Sequence, residues 1–102
     1  MVKELKGSQK KYLRGLAHKL NPSALIGQKG VTPALLEEID QALDAGELIK
    51  VKFVDFKEKD QKTELLETIV SRTRSHLAGM IGHVAILYRQ NADVEKRRIR
   101  LP

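Results

Sequence analysis

The stretch Ala24-Leu25-Ile26-Gly27-Gln28-Lys29-Gly30-Val31-Thr32-Pro33-Ala34-Leu35-Leu36-Glu37-Glu38-Ile39 decides the fold. Ala24-Leu25-Ile26 is a short apolar run of the kind a buried strand uses. Gly27 to Gly30 breaks it. A helix then opens with unambiguous punctuation: Thr32 as N-cap, Pro33 at the first helical position, and Glu37 and Glu38 in the early turns, where the dipole favours anions. Val31 and Leu36 are spaced for a hydrophobic staple. Leu35, Leu36, Ile39, Ala42 and Leu43 form the inward face, and Gly46 ends the helix. The stretch therefore predicts strand, tight loop and capped helix in succession.

Working outward, Leu13, Leu16, Ala17 and Leu20 recur at helical spacing, predicting a helix that Ser8 caps and Asn21-Pro22 stops. Lys11, Arg14 and His18 line another face, with Lys10 beside them, making a basic stripe opposite an apolar one. Downstream, Leu48 to Val54 alternates, with Ile49, Val51 and Phe53 on one side and Lys50 and Lys52 on the other, as a strand with a basic outer face does. Asp60 is positioned to cap a third helix with Leu65, Leu66, Ile69 and Val70 inward and Arg72 and Arg74 in its last turn. His76 to Gly82 reads as a glycine-interrupted apolar link, Val84 to Arg89 as a strand, Asn91-Ala92-Asp93 as a turn, and Lys96 to Leu101 as a terminal strand.

The element order is α-β-α-β-α-β-β. Alternation of helices and strands predicts one small α/β domain over residues 1–102, in two or three layers. Its four-stranded sheet is packed by three helices, and it is mixed because the last two strands are close enough in sequence to pair antiparallel.

The chain has 102 residues and a net charge of +6, unevenly distributed. Residues 1–20 carry six Lys/Arg and one acid, and residues 81–102 carry five Lys/Arg and two acids, while the middle is slightly acidic. Positive charge concentrated at the two ends suits a polyanion, because each phosphate neutralised by Lys or Arg releases counterions. No apolar run approaches the ~18 residues of a membrane span, and the start lacks the apolar stretch of a signal peptide, so the cytoplasm is the expected compartment. With no cysteine, disulfides and thiolate zinc sites are excluded.

The chemistry concentrates in Gly27-Gln28-Lys29-Gly30. Two glycines allow close backbone approach, the following helix contributes N–H groups and a positive dipole end, and Lys29 adds a mobile cation. This is the logic by which a GXXG loop clamps a nucleic-acid backbone in KH domains. Alone, such a loop is more often a plain turn. Gly79-Met80-Ile81-Gly82 has the same spacing, but its apolar centre predicts buried Met80 and Ile81 and a packing role. The first loop is not a P-loop, since no GK[ST] follows. His18, His76 and His83 lack metal-ligand spacing, and Ser8, Ser23, Ser71 and Ser75 sit in no nucleophile elbow. The Glu37-Glu38 and Glu64/Glu67 pairs fit solvated helix faces. The expectation is a binding protein with no cofactor and no metal, not an enzyme.

Aromatics are scarce: Tyr12, Phe53, Phe56 and Tyr88. Base stacking is therefore expected to be secondary to backbone recognition of folded RNA. Lys10, Lys11, Arg14, Lys50 and Lys52 would extend the basic surface around Gly27, Gln28, Lys29 and Gly30. Arg97, Arg98 and Arg100 stand apart, because a terminal strand can be basic merely to protect a sheet edge.

Leu25 to Thr32, Leu48 to Phe53 and Gly79 to Arg89 together resemble the CRM (chloroplast RNA splicing and ribosome maturation) domain in its free-standing bacterial form, the YhbY family. The resemblance spans essentially the whole chain. It implies a fold similar to the C-terminal domain of bacterial translation initiation factor three. It also implies RNA binding through Gly27 to Gly30 and adjacent basic surfaces, and association with precursors of the large ribosomal subunit. The expected protein is a monomer. Two other readings stay open: a module that docks on an acidic protein of the translation machinery, and a nonspecific DNA binder.

Overall fold

The computed structural model describes residues 4–102. The elements are α1 (Gly7–Ala17), β1 (Pro22–Ile26), α2 (Pro33–Gly46), β2 (Leu48–Phe53), α3 (Lys59–Thr73), β3 (His76–Ile81) and β4 (Val84–Tyr88), followed by a 3₁₀ turn at Val94–Lys96. The strands form one sheet in the order β1-β2-β4-β3. β1 and β2, joined by the α2 crossover, are parallel, and the β2–β4 and β4–β3 pairs are antiparallel. The sheet is mixed, as expected.

Three layers result, because β2 and β4 bury both faces. Ile49, Val51 and Phe53 of β2 and Ala85 and Leu87 of β4 meet Ile39 and Leu43 of α2 and Leu66 and Ile69 of α3. On the opposite face Leu48, Ile86 and Tyr88 meet Leu13 and Ala17 of α1. Alternation places one set of side chains on each face, so β4 reads as an unbroken apolar run, while β2 keeps Lys50 and Lys52 on its α1 side.

Several local expectations are corrected. His76 to Gly82 is a strand and a turn, not a link. Gly79 misleads because it lies mid-strand, where Arg14 of α1 crosses it: a Cβ there would stand 2.6 Å from the Arg14 Cδ. A bulge between Leu77 and Gly79 accompanies the crossing, and Arg14 donates to the Ala78 carbonyl at 3.1 Å. Gly82, at φ +60, begins the two-residue turn into β4.

The predicted strand at Lys96–Leu101 does not pair with the sheet. Ile99 and Leu101 pack against the α1 cluster, but the backbone N–H groups of Arg98 and Ile99 go to the Glu47 carboxylate. The tally of four strands is met by β3 in its place. Leu16, Leu20, Leu25 and Ile81, expected inside, are exposed, and Met80 is half-buried.

Helix ends follow local chemistry. Thr32 Oγ1 accepts the Leu35 N–H at 3.1 Å, with Pro33 at the start of α2, as expected. Ser8 does not cap α1; the N-cap is Lys6, whose N–H donates to Gln9 Oε1. Asp60 lies within the first turn of α3, which Glu58 begins. Gly46 closes α2 as its last residue, and Glu47 takes the positive φ of 64° after it.

Candidate functional site

β1 ends at Ile26, and the next four residues turn sharply into α2. The Gly30 N–H donates to the Gly27 carbonyl at 3.0 Å, closing a turn with Gln28 and Lys29 exposed at its tip. Gly30 has φ +65, which accounts for glycine there. It rests on the ring of Phe56. The loop that carries Phe56 is itself tied to β1, since Val54 and Asp55 both donate N–H bonds to the Ile26 carbonyl. At Gly27 a side chain would meet nothing, so that flank is open to a ligand.

Beside the loop lies a cleft of about 500 Å³ lined by Leu25, Gln28, Lys29, Thr32, Leu35 and Glu38, among others. Thr32 takes up the Leu35 and Leu36 N–H groups, and Pro33 has none. What α2 offers an anion is therefore the Ala34 N–H and the positive end of its dipole. Glu38 on the cleft wall opposes phosphate, so an anion is favoured at the Lys29 end. Leu25 is 56% exposed on the sheet face opposite α2, paired in register with Lys52. Its exposure follows from parity, since Ala24 and Ile26 take the two inward positions of β1.

The structure divides the sequence-predicted cations. Lys29 and Lys52 are exposed and lie at the same end of the sheet. Lys50, one pleat back, is half-buried, and its ammonium donates to the carbonyls of His18 and Leu20 at 3.3 and 2.9 Å. It closes the C-terminal end of α1. Arg14 is likewise engaged on β3. Lys10 and Lys11 are exposed but belong to the N-terminal half of α1, whose Gln9 bonds to Pro102 beside the tail that Glu47 holds at the far end of β2. Six strand residues separate the ends of β2, about 17 Å at ~3.3 Å per residue.

Glu47 was not anticipated. It is 1% exposed and accepts N–H bonds from Asn91 and Arg98 at 2.7 Å and from Ile99 at 3.1 Å. A second network, at the surface, joins the half-buried Arg89 to the exposed Asp40 and Asp44. Neither had a sequence signal, because the partners lie far apart along the chain. Burial pushes the Tyr88 hydroxyl above the ordinary tyrosine range, the Glu47 carboxylate adds to this, and Arg97 partly opposes it. Among the described residues no three His, Asp or Glu side chains converge to hold a metal ion, and no helix is long and apolar enough to cross a membrane.

Comparison with known proteins places this geometry among relatives. A family model described as the CRS1 / YhbY (CRM) domain matches residues 5–89. A Haemophilus influenzae protein named RNA-binding protein is 41% identical over 96% of this chain and 95% of its own length. A Bacillus subtilis protein named probable RNA-binding protein YqeI is 39% identical over 96% of this chain and 99% of its own. The solution structure of a Staphylococcus aureus protein superposes with a TM-score of 0.80 at 39% identity, covering 96% of this chain and 99% of that one.

Proposed function

Because the chain belongs to the CRS1 / YhbY (CRM) domain family, we propose that it is an RNA-binding protein that acts by binding, without turnover, on precursor RNA of the large ribosomal subunit. The observation that carries the reading is the exposed turn Gly27–Gly30. It sets Lys29 at its tip, Lys52 on the neighbouring strand and the start of α2 beside an open cleft. Mobile cations, a glycine-flanked backbone and a helix N-terminus are the parts that bind phosphodiesters. The relatives named for RNA binding support the same partner. The ribosomal assignment rests on the family resemblance. In this reading the protein works in the cytoplasm as a monomer on folded RNA, and residues 1–102 act as one RNA-binding module.

Binding measured across a salt series tests it. About four to seven phosphate contacts give a slope of log K against log[salt] of roughly −3 to −6. An RNA duplex should outcompete a DNA duplex at matched salt, because A-form shape and the 2′-OH are what such a surface reads. A flat salt dependence, or equal competition by DNA, contradicts the proposal.

A further inference from the structure

A second basic surface lies at the other end of the sheet, largely beyond the residues that the family model matches. After β4 the chain turns back along α1 and ends beside it, and Gln9 of α1 donates to the Pro102 carbonyl at 3.3 Å. Between the two runs a cleft of about 810 Å³, lined by Tyr12, Arg97, Arg98 and Arg100 among others.

The tail is held so that its arginines face outward. The Glu47 carboxylate fixes the backbone N–H groups of Arg98 and Ile99, and Ile99 and Leu101 pack against the α1 cluster. An extended backbone alternates its side chains, so Arg98 and Arg100 project away from that cluster and are exposed. Among the described residues neither guanidinium forms a hydrogen bond or ion pair. Arg97 differs, since its Nε donates to the Asn91 carbonyl at 2.8 Å. Tyr12 is 42% exposed on the opposite wall, and Lys10 and Lys11 are exposed on the same helix. The acids of the tail, Asp93 and Glu95, do not line the cleft.

We propose that this cleft is a second RNA-contacting site. Arg98 and Arg100 hold backbone phosphates, Tyr12 stacks on an unpaired base, and one RNA is gripped at both ends of β2. Guanidinium groups match phosphate geometry, and an exposed ring beside them accepts any base face. The inference rests on the RNA-binding reading and adds to it a second point of contact and an unpaired segment.

The test uses the full chain and an RNA hairpin with a single-stranded extension, titrated by fluorescence anisotropy at several salt concentrations. Arg98→Gln with Arg100→Gln should keep the melting temperature, because Arg98 supports the fold only through its backbone. It should weaken binding by at least about tenfold, from the loss of two charged contacts. It should also flatten the salt slope by roughly 1.5, at ~0.7–0.9 per phosphate. Tyr12→Ala should cost about tenfold on the extended hairpin but little on the same hairpin without its extension, and Tyr12→Phe should restore binding. If the arginine variant retains wild-type affinity and slope while a Lys29→Gln variant is weakened, the second site is overturned and the RNA-binding reading stands. If the wild-type chain binds no RNA, both fall.

Discussion

The carboxylate of Glu47 accepts the backbone N–H of Arg98 at 2.7 Å, from a residue 51 positions further along the chain. With the bonds from Asn91 and Ile99 it ties three backbone amides of the segment after β4 to the end of α2. Hydrogen bonds to a charged acceptor contribute about 1.5–3 kcal/mol each, and donors left buried without a partner cost a similar amount. Glu47→Ala should therefore destabilise the protein by about 3 kcal/mol or more in denaturant unfolding. It should also abolish the amide-exchange protection of Arg98 and Ile99. Unchanged protection at those two amides would show that the tail is held by its apolar contacts instead.

Gly79 and Arg14 form a matched pair. A side chain at Gly79 would stand 2.6 Å from the Arg14 Cδ. The arginine must shift to make room, which strains its bond to Ala78. Gly79→Ala and Arg14→Ala should each cost about 1–2 kcal/mol. The double variant should cost less than their sum, because both remove the same contact. Full additivity in a double-mutant cycle would contradict the coupling.

Lys50 and Lys52, neighbours on β2, should separate by phenotype. Lys50→Met loses the bonds to His18 and Leu20 and should lower stability by about 1 kcal/mol. Lys52→Gln alters an exposed side chain, so its stability should stay within about 0.5 kcal/mol of wild type. Its RNA salt slope should fall by about 0.7–0.9. The reverse assignment in melting and titration experiments would show that the two lysines have been misplaced.

The Tyr88 hydroxyl is buried and makes no hydrogen bond among the described residues. Its pKa is raised by burial and by Glu47. Above the ordinary tyrosine value of about 10 the unfolded chain loses this proton while the folded one keeps it, so stability falls as pH rises through that region. Tyr88→Phe should be neutral or stabilising by about 1 kcal/mol near neutral pH, since it removes an unpaired buried hydroxyl. It should also weaken the alkaline loss of stability. A Tyr88→Phe protein clearly less stable than wild type at neutral pH would mean the hydroxyl has a partner.

Sequence reading succeeded where the determining contacts are local. Thr32 and Pro33 start α2 through bonds within one turn, the period-two pattern of Leu48 to Phe53 specifies β2, and the Gly27–Gly30 turn closes on itself. It failed where a distant residue decides. Gly79 stands mid-strand where Arg14 leaves no room for a side chain, and the N–H groups of Arg98 and Ile99 in the tail go to Glu47 and not to a sheet partner. The predicted cations of the candidate site differ in what surrounds them. Lys29 and Lys52 emerge exposed at the loop, Arg14 and Lys50 have their cations engaged by distant carbonyls, and Lys10 and Lys11 sit at the opposite end of the sheet.

The most direct measurement is the RNA affinity of the Gln28→Asp, Lys29→Asp double variant beside its melting temperature. Both side chains are exposed, and the turn is held by Gly30 and Gly27, so the melting temperature should match wild type. Losing the lysine contact and setting two carboxylates against phosphate should weaken binding by more than about tenfold. A folded double variant that binds RNA as tightly as wild type would contradict the assignment of the Gly27–Gly30 loop as the RNA-gripping element.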